Sequence, residues 1–261
     1  MKLPIYTVDA FTDAPFKGNP AAVCLLTTTI DEALMQNIAA EMNLSETAFL
    51  FKNGDGYNLR WFTPTDEVDL CGHATLASSC VLWNFGIEKS DRIEFYTRSG
   101  TLAATKNDSV IVLDFPVAES SPSEVTTELI DSIKAEPVSV HKTKWNYLVE
   151  LASEDEVINL KPDFGKMIKL PMWGMIVTAK SNGEFDFISR FFAPHKGINE
   201  DPVTGMAHCA LAYYWNKRLG KNKFNAYQAS KRGGVVGVEL VGDRVMLSGK
   251  AVVVSEGTIN V

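Results

Sequence analysis

Alternating apolar and polar positions in the first half of the chain predict short β-strands, and two segments have the apolar spacing of helices. One helix is predicted over Asp31–Met42, with Leu34, Ile38 and Met42 on one face, and the other begins after Gly72. The strands are predicted at Ile5–Phe11, Ala21–Leu26, Glu46–Lys52 and Tyr57–Thr63, with three more between Arg92 and Phe115. The first half is therefore mostly β, and its second helix is apolar nearly all round.

The second half repeats this order after a Ser-rich linker, Ala118–Glu124. An amphipathic helix with Val125, Leu129, Ile130 and Ile133 on one face follows the linker as an extra element. The remaining elements are predicted as strands near Val138–Lys142, Tyr147–Leu151, Met175–Lys180 and Phe185–Phe192, strand pieces over Phe224–Val254, and helices near Asp163–Leu170 and after Gly205.

Two short motifs strengthen the case for an internal repeat. Arg60–Pro64 (RWFTP) corresponds to Arg190–Pro194 (RFFAP), and each is followed, 8 or 11 residues after its Pro, by the Gly that opens an Ala-rich apolar helix. A helix that is apolar all round must be buried, and a curved antiparallel sheet wrapped around it achieves this economically. We expect two such domains, 1–117 and 118–261, with a ligand cleft between them; whether the last strand returns to the first domain stays open.

Composition and charge narrow the function classes. The chain has 261 residues and a formal net charge of −7, so it lacks the basic surface typical of nucleic-acid readers. Its apolar runs are too short to span a bilayer, and its first residues lack the apolar core of a secretion signal. The four Cys form no CxxC pair and the four His no ligand-spaced cluster, so we expect reduced thiols, a cytoplasmic protein, no metal and no membrane partner.

The two glycines at the helix starts indicate an anion site. First-turn N–H groups lack partners within a helix, and a Gly lets a ligand approach them closely. The helix dipole also favours an anion, so Gly72 and Gly205 would bind a small carboxylate metabolite. The alternative is that both glycines only permit a tight turn from strand to helix.

Glu46 is the candidate general acid/base. It lies where the first helix ends and an apolar strand begins, and the corresponding region of the second half has no carboxylate. A single carboxylate that removes and returns a proton fits this asymmetry. The alternative is a solvated Glu, or one whose side chain caps backbone N–H groups.

Four other residues are candidates for the same site. His73 follows Gly72, and the helix start should keep it mainly neutral, able to donate to a substrate oxygen. Asp201 could orient a His, bind substrate, or form an ordinary turn with its Pro. Cys71 could act as a base or be a small buried residue, and its counterpart Thr204 excludes a two-thiol mechanism. Arg232 could close over an anion or be exposed in a hairpin.

Taken together, the motifs resemble the PhzF family of phenazine-biosynthesis isomerases, within the diaminopimelate-epimerase-like superfamily. The resemblance implies an α+β fold of two pseudo-symmetric domains, each a barrel-like, mainly antiparallel sheet around a central helix. It also implies cofactor-independent isomerisation in the cleft, and a homodimer. The matching segments are Asp9–Phe11, Gly18–Val23, Asn43–Phe49, Arg60–Ala77, Asp201–Leu211 and Gln228–Gly234.

The resemblance also implies that Glu46 is the acid/base, that His73 and Asp201 help to bind or orient the substrate, and that Gly72, His73, Gly205 and Met206 supply backbone N–H groups. Together with the reading of the residues themselves, we expect Glu46, His73 and Asp201 to be catalytic. We expect the substrate-binding residues to be Asn19, Cys71, Gly72, Gly205, Met206 and Arg232.

The chain departs from the phenazine enzymes at two of these positions. Met206 replaces a Ser, so a backbone N–H remains but a hydroxyl donor is lost. Cys71 stands where those enzymes have no thiol and where epimerases and proline racemases have a Cys. The function expected is proton movement on a small, cyclic or amino-bearing carboxylate. The alternatives are a racemase, epimerase or dehydratase with Cys71 as base, and a metabolite-binding homologue without chemistry.

Overall fold

The computed structural model describes all residues from Met1 to Val261 and contains two compact units. The first unit consists of Met1–Phe115 and Leu247–Val261, and the second of Pro116–Met246. The helices are α1 (Glu32–Met42), α2 (Gly72–Asn84), α3 (Thr127–Ile133), α4 (Glu154–Asn159), α5 (Phe164–Met167) and α6 (Gly205–Leu219). No helix combines the length and the apolar content that crossing a bilayer requires.

The strands occupy most of both units. They are β1 (Lys2–Ala10), β2 (Asn19–Leu26), β3 (Glu46–Asn53), β4 (Gly56–Phe62), β5 (Glu67–Val68), β6 (Arg92–Thr97), β7 (Gly100–Asn107), β8 (Val110–Pro116), β9 (Ser121–Pro122), β10 (Ser139–Lys142), β11 (Asn146–Glu150), β12 (Gly174–Lys180), β13 (Phe187–Ala193), β14 (Ile198–Asp201), β15 (Lys223–Gln228), β16 (Gly234–Val241), β17 (Arg244–Gly249) and β18 (Ala251–Asn260).

In the first unit, the long helix α2 connects two parallel strands of a mainly antiparallel sheet. β1 lies between β2 and β18 and is antiparallel to both. β2 is parallel to β3, with α1 as the crossover, and β3 is antiparallel to β4. β4 is parallel to β6, and α2 lies in the connection between them. Because β18 pairs with β1 over nearly its whole length, the last segment of the chain belongs to the first unit.

The second unit has the same series of pairings. β10 and β11 are antiparallel, β11 and β12 parallel, β12 and β13 antiparallel, and β13 and β15 parallel, with α6 in the last connection. Each unit is thus a mainly antiparallel sheet with two parallel crossovers, in the same order along the chain. The predicted internal repeat and α+β class are confirmed.

Burial of the two long helices follows from their sequence. Every residue of α2 from His73 to Leu82 is buried, and the helix contacts β1, β2, β3, β7 and β18. Most of α6 is buried too, whereas its last turn is polar and carries Lys217 and Arg218. Small residues such as Ala77 and Ala210 let the surrounding strands approach each helix closely.

Two local features differ from the sequence-based expectation. The helix predicted near Asp163–Leu170 is present but shorter: it is α5, which Asp163 caps and which ends at Met167. The short helix α4 before it, capped by Ser153, was not predicted, and Pro162 lies between the two helices. The extra spacing between Pro194 and Gly205 is taken up by a 3-10 turn over Pro194–Lys196.

Candidate active site

Glu46 and the start of α2 are placed by the turns that precede them. Asn43 ends α1 in the left-handed conformation, with φ of 49°, and its N–H bonds the carbonyl of Ala39. The chain then enters β3 at Glu46, which pairs in register with Ala21 of β2. Cys71 is the N-cap of α2 and gives the helix no side-chain cap, so its first N–H groups remain for another acceptor.

Four side chains of the first unit meet at this point. His73 Nε2 lies 3.0 Å from Glu46 Oε2. The His73 Nδ1 atom lies 3.1 Å from Asn19 Nδ2 and 3.6 Å from Cys71 Sγ. The Glu46 side chain is 15% exposed and that of His73 only 5%, so solvent reaches the group from the Glu46 side.

The protonation expected for His73 from sequence is wrong. Burial on its own lowers the pKa of the imidazole, but the adjacent Cys71 and Glu46 more than offset this and raise it well above its ordinary value. A helix start disfavours a cation by about 0.3–1 kcal/mol. An opposite charge at about 4 Å is worth about 4 kcal/mol at an effective dielectric constant near 20. The Glu46 carboxylate thus outweighs the helix start, and the pKa of His73 is raised rather than lowered.

Cys71 is a protonated thiol at neutral pH. Burial, together with the nearby Glu46 carboxylate, raises the pKa of Cys71 to about 11. The helix start and His73 favour the thiolate but do not reverse this effect. All four cysteines are free and buried.

Two buried polar residues of this region, Asn19 and Asp9, make contacts that the sequence analysis did not predict. Asn19 is fully buried and contacts the imidazole of His73, so it fixes the ring rather than facing solvent. Asp9 Oδ2 accepts a 2.6 Å hydrogen bond from the N–H of Phe16, whose φ is +66°. This bond holds the connection between β1 and β2, which leads directly into Asn19, the first residue of β2. The signal available in the sequence was the presence of single polar residues within otherwise apolar predicted strands.

In the second unit, Asp201 lies beside the N-cap of α6. Thr204 Oγ1 donates a short hydrogen bond to Asp201 Oδ2. The fully buried Gln228 accepts from the N–H of Thr204 at 2.8 Å and donates to the carbonyl of Asp201 at 2.7 Å. Gln228 thus ties β15 to the segment that leads into α6, a role that the sequence did not reveal.

The remaining predicted residues lie around the same helix start. Gly205 is buried at the first position of α6, Met206 is 40% exposed, and Arg232 is half-buried. Ser230 donates to the carbonyl of Pro202 at 2.8 Å, which brings the Arg232 loop next to Asp201. The predicted site residues thus form two groups. The first unit contains Glu46, His73, Cys71, Gly72 and Asn19, and the second contains Asp201, Gly205, Met206 and Arg232. The cleft expected between the domains stays a prediction.

His208, on the first turns of α6, is a neutral buried residue. Its Nδ1 atom lies 2.8 Å from the carbonyl of Thr204, and its ring stacks on Phe187. Burial lowers the pKa of His208 to about 4, and the contact with Thr204 offsets this only in part. The residue therefore resists protonation in the folded state.

This gives a pH-dependent stability. A group whose pKa is lower when folded contributes full stability above its unfolded pKa of about 6.5, and this contribution is lost as the pH falls. Between pH 7 and pH 4 we expect the free energy of unfolding to drop by about 3 kcal/mol more in the wild type than in His208→Gln. Denaturant titrations of both proteins at each pH measure the difference, and equal pH slopes would contradict it.

Comparison with known proteins identifies the family. A family model described as phenazine biosynthesis-like protein (PhzC-PhzF) matches residues 8–257. The chain belongs to the PhzC-PhzF family. An uncharacterised isomerase of Halalkalibacterium halodurans is 53% identical over 257 residues, covering 97% of each chain. A crystal structure of a PhzF family protein from Enterococcus faecalis superposes with a TM-score of 0.97 at 42% identity and covers 100% of both chains.

The PhzC-PhzF match confirms the resemblance drawn from the motifs. A predicted epimerase of Pseudomonas aeruginosa is 17% identical, with a TM-score of 0.76 over 98% of this chain and 99% of its own. At that identity the likeness concerns the fold alone, and it confirms the epimerase-like fold class. Relatives in the PhzC-PhzF family carry the name isomerase, and no substrate is stated in these names.

Proposed function

We propose that this PhzC-PhzF protein is a cofactor-independent isomerase that moves a proton between two carbons of a small carboxylate, with Glu46 as the acid/base. The observation that carries the proposal is the pairing of Glu46 with His73, 3.0 Å apart, beside the uncapped start of α2. A carboxylate, an imidazole and the N–H groups of a helix start at one point can take up a proton and stabilise the negative charge that its removal creates.

The proton step follows from the charges. His73 Nε2 faces the Glu46 carboxylate at 3.0 Å, and in this proposal Glu46 is the base. Glu46 removes a proton from the carbon next to the carboxylate of an unsaturated substrate and returns it to the carbon at the far end of the C=C bond. The electron pair of the broken C–H bond forms the new C=C bond, so the double bond shifts by one position. Asn19 holds the His73 ring in place throughout, because the asparagine is fully buried.

The helix starts supply the binding site for the carboxylate. The N–H groups of Gly72 and His73 in α2 have no cap from Cys71, and the N-cap Thr204 likewise gives α6 no side-chain cap. In this proposal Gly205 and Met206 offer backbone N–H groups as Gly72 does, and Asp201 and Arg232 orient the rest of the substrate. Stabilising the carboxylate there makes the adjacent C–H more acidic.

Deuterium exchange on a panel of compounds tests the proposal. The purified protein is incubated in D₂O with cyclic and amino-bearing carboxylates, and the products are examined by NMR and mass spectrometry. We expect deuterium to enter at one carbon of a substrate, accompanied by movement of its double bond. A compound that binds tightly yet takes up no deuterium would favour the non-catalytic binding protein instead.

If Cys71 were the base, the Cys71→Ala variant would be inactive. The pKa of Cys71, about 11, leaves little thiolate at neutral pH. We therefore expect Cys71→Ala to reduce the exchange rate by less than about tenfold, well below the about 10²–10⁴-fold associated with loss of a general base. An inactive Cys71→Ala protein with a native circular dichroism spectrum would favour the racemase, epimerase or dehydratase alternative.

A further inference from the structure

Three side chains at the start of α2 have the atoms and the spacing of metal ligands. The carboxylate, thiol and imidazole of Glu46, Cys71 and His73 offer atoms that all lie within 4.8 Å of one another. A tetrahedral zinc ion with such ligands holds them about 3.3–3.8 Å apart. The separations between the proposed ligand atoms lie close to that range: 3.0 Å from His73 Nε2 to Glu46 Oε2 and 3.9 Å from Cys71 Sγ to His73 Nε2.

One of these atoms is buried without a hydrogen bond. Glu46 Oε2 is shielded from solvent and accepts no hydrogen bond, although His73 Nε2 is only 3.0 Å away. The contact therefore does not meet the geometry of a good hydrogen bond despite its short distance. That placement is poor for a donor and an acceptor, but it suits two ligands that share an ion between them. A bound cation would also remove the penalty of leaving a buried carboxylate oxygen without a donor.

The histidine already has the outer contact that metal-bound histidines need. Asn19 lies 3.1 Å from the Nδ1 atom of His73 and is fully buried. The amide nitrogen of Asn19 faces Nδ1 here; with the amide turned over, its oxygen would accept the Nδ1 proton and leave the Nε2 lone pair for an ion. The ring is thus oriented by one residue toward the side where Glu46 lies.

We propose that Glu46, Cys71 and His73 bind one soft divalent cation such as Zn²⁺. Sulfur and imidazole ligands select zinc-like ions over Mg²⁺ and Ca²⁺, which prefer oxygen. Glu46 is the most exposed of the three ligands, so the ion enters from its side and keeps an open fourth position there. The spacing of the His and Cys residues along the chain does not form a recognisable metal-binding motif. The site forms only in the folded protein, where β3 brings Glu46 next to the start of α2.

Cobalt provides a direct test, because a thiolate bound to Co²⁺ absorbs in the near ultraviolet by charge transfer from sulfur. Titration of the purified protein with Co²⁺ is expected to show this absorption, saturating at one equivalent. Cys71→Ala should lose the band and bind Co²⁺ at least about tenfold more weakly, whereas Cys209→Ala, which removes a buried thiol from α6, should keep both. Absence of the band in the wild type, or its persistence in Cys71→Ala, would overturn the site.

Zinc should also inhibit, a consequence that rests on the proposed function. The ion occupies the carboxylate that takes the proton, so stoichiometric Zn²⁺ is expected to lower deuterium exchange at least tenfold, with recovery after chelation. If the metal-free protein exchanges no deuterium, the proposed function fails, and the cobalt spectrum still decides the metal site. Undiminished exchange with Zn²⁺ bound would overturn the inhibitory role.

Discussion

Glu46→Gln is expected to lower the rate of deuterium exchange by about 10²–10⁴-fold, the usual contribution of a general acid/base. Gln has nearly the same shape as Glu but cannot accept and return a proton at neutral pH. It also removes the carboxylate charge that helps to raise the pKa of His73, so the imidazole beside the site is protonated less readily. Single-turnover exchange measured by NMR gives the rate directly.

Two control variants separate this effect from general damage. Glu41→Gln removes a charge from the exposed end of α1 and should leave the exchange rate within about twofold, because surface changes are mostly small. Glu46→Asp keeps the carboxylate but shortens its reach and should fall between the wild type and Glu46→Gln. A Glu46→Gln protein that retained more than a tenth of the wild-type rate would remove Glu46 from the mechanism.

Gly18→Ala is expected to destabilise the protein by about 4 kcal/mol, through both backbone strain and a collision. Gly18 has φ of +61°, a conformation that favours glycine. A Cβ there would lie 2.1 Å from the carbonyl oxygen of Ala10, which is backbone and cannot turn away. The neighbouring Asn19 would move as well, so the contact with His73 should be lost in the fraction that folds.

Gly54→Ala is the matched control for that variant. Gly54 has a similar φ of +56°, but a Cβ there would meet nothing within 4 Å. Only the backbone strain applies, so a loss of about 1 kcal/mol is expected. Denaturant unfolding of both variants measures the difference, and equal losses would show that the space around Gly18 adapts more readily than its geometry indicates.

The architecture was predictable from the sequence because two separate sequence features indicate the internal duplication. The apolar segments after Gly72 and Gly205 and the paired Arg–Pro motifs imply the same element order in both halves. Polar short elements were harder to predict. Ser153, followed by Glu156, is the capping pattern of α4, but this helix has too few apolar residues to be visible as a periodic signal.

The candidate site was only partly predictable, for reasons of distance and charge. Glu46 and His73 were both proposed from sequence, but their 3.0 Å approach depends on the register of β3 against β2. That approach helps to raise the pKa of His73, whereas the helix start alone would lower it. A rule about helix starts considers only neighbouring residues in sequence, so it cannot include a partner from another strand. The bridging role of Gln228 depends in the same way on β15 lying beside the start of α6.

The pairing of β18 with β1 determines when the first unit can finish folding during synthesis. One edge of β1 stays without its neighbour until residues 251–260 have left the ribosome, whereas the whole of Pro116–Met246 is available earlier. An open strand edge is a template for incorrect association. Nascent chains stalled before Ala251 should therefore expose that edge and bind chaperones, and release should follow once β18 can pair with β1.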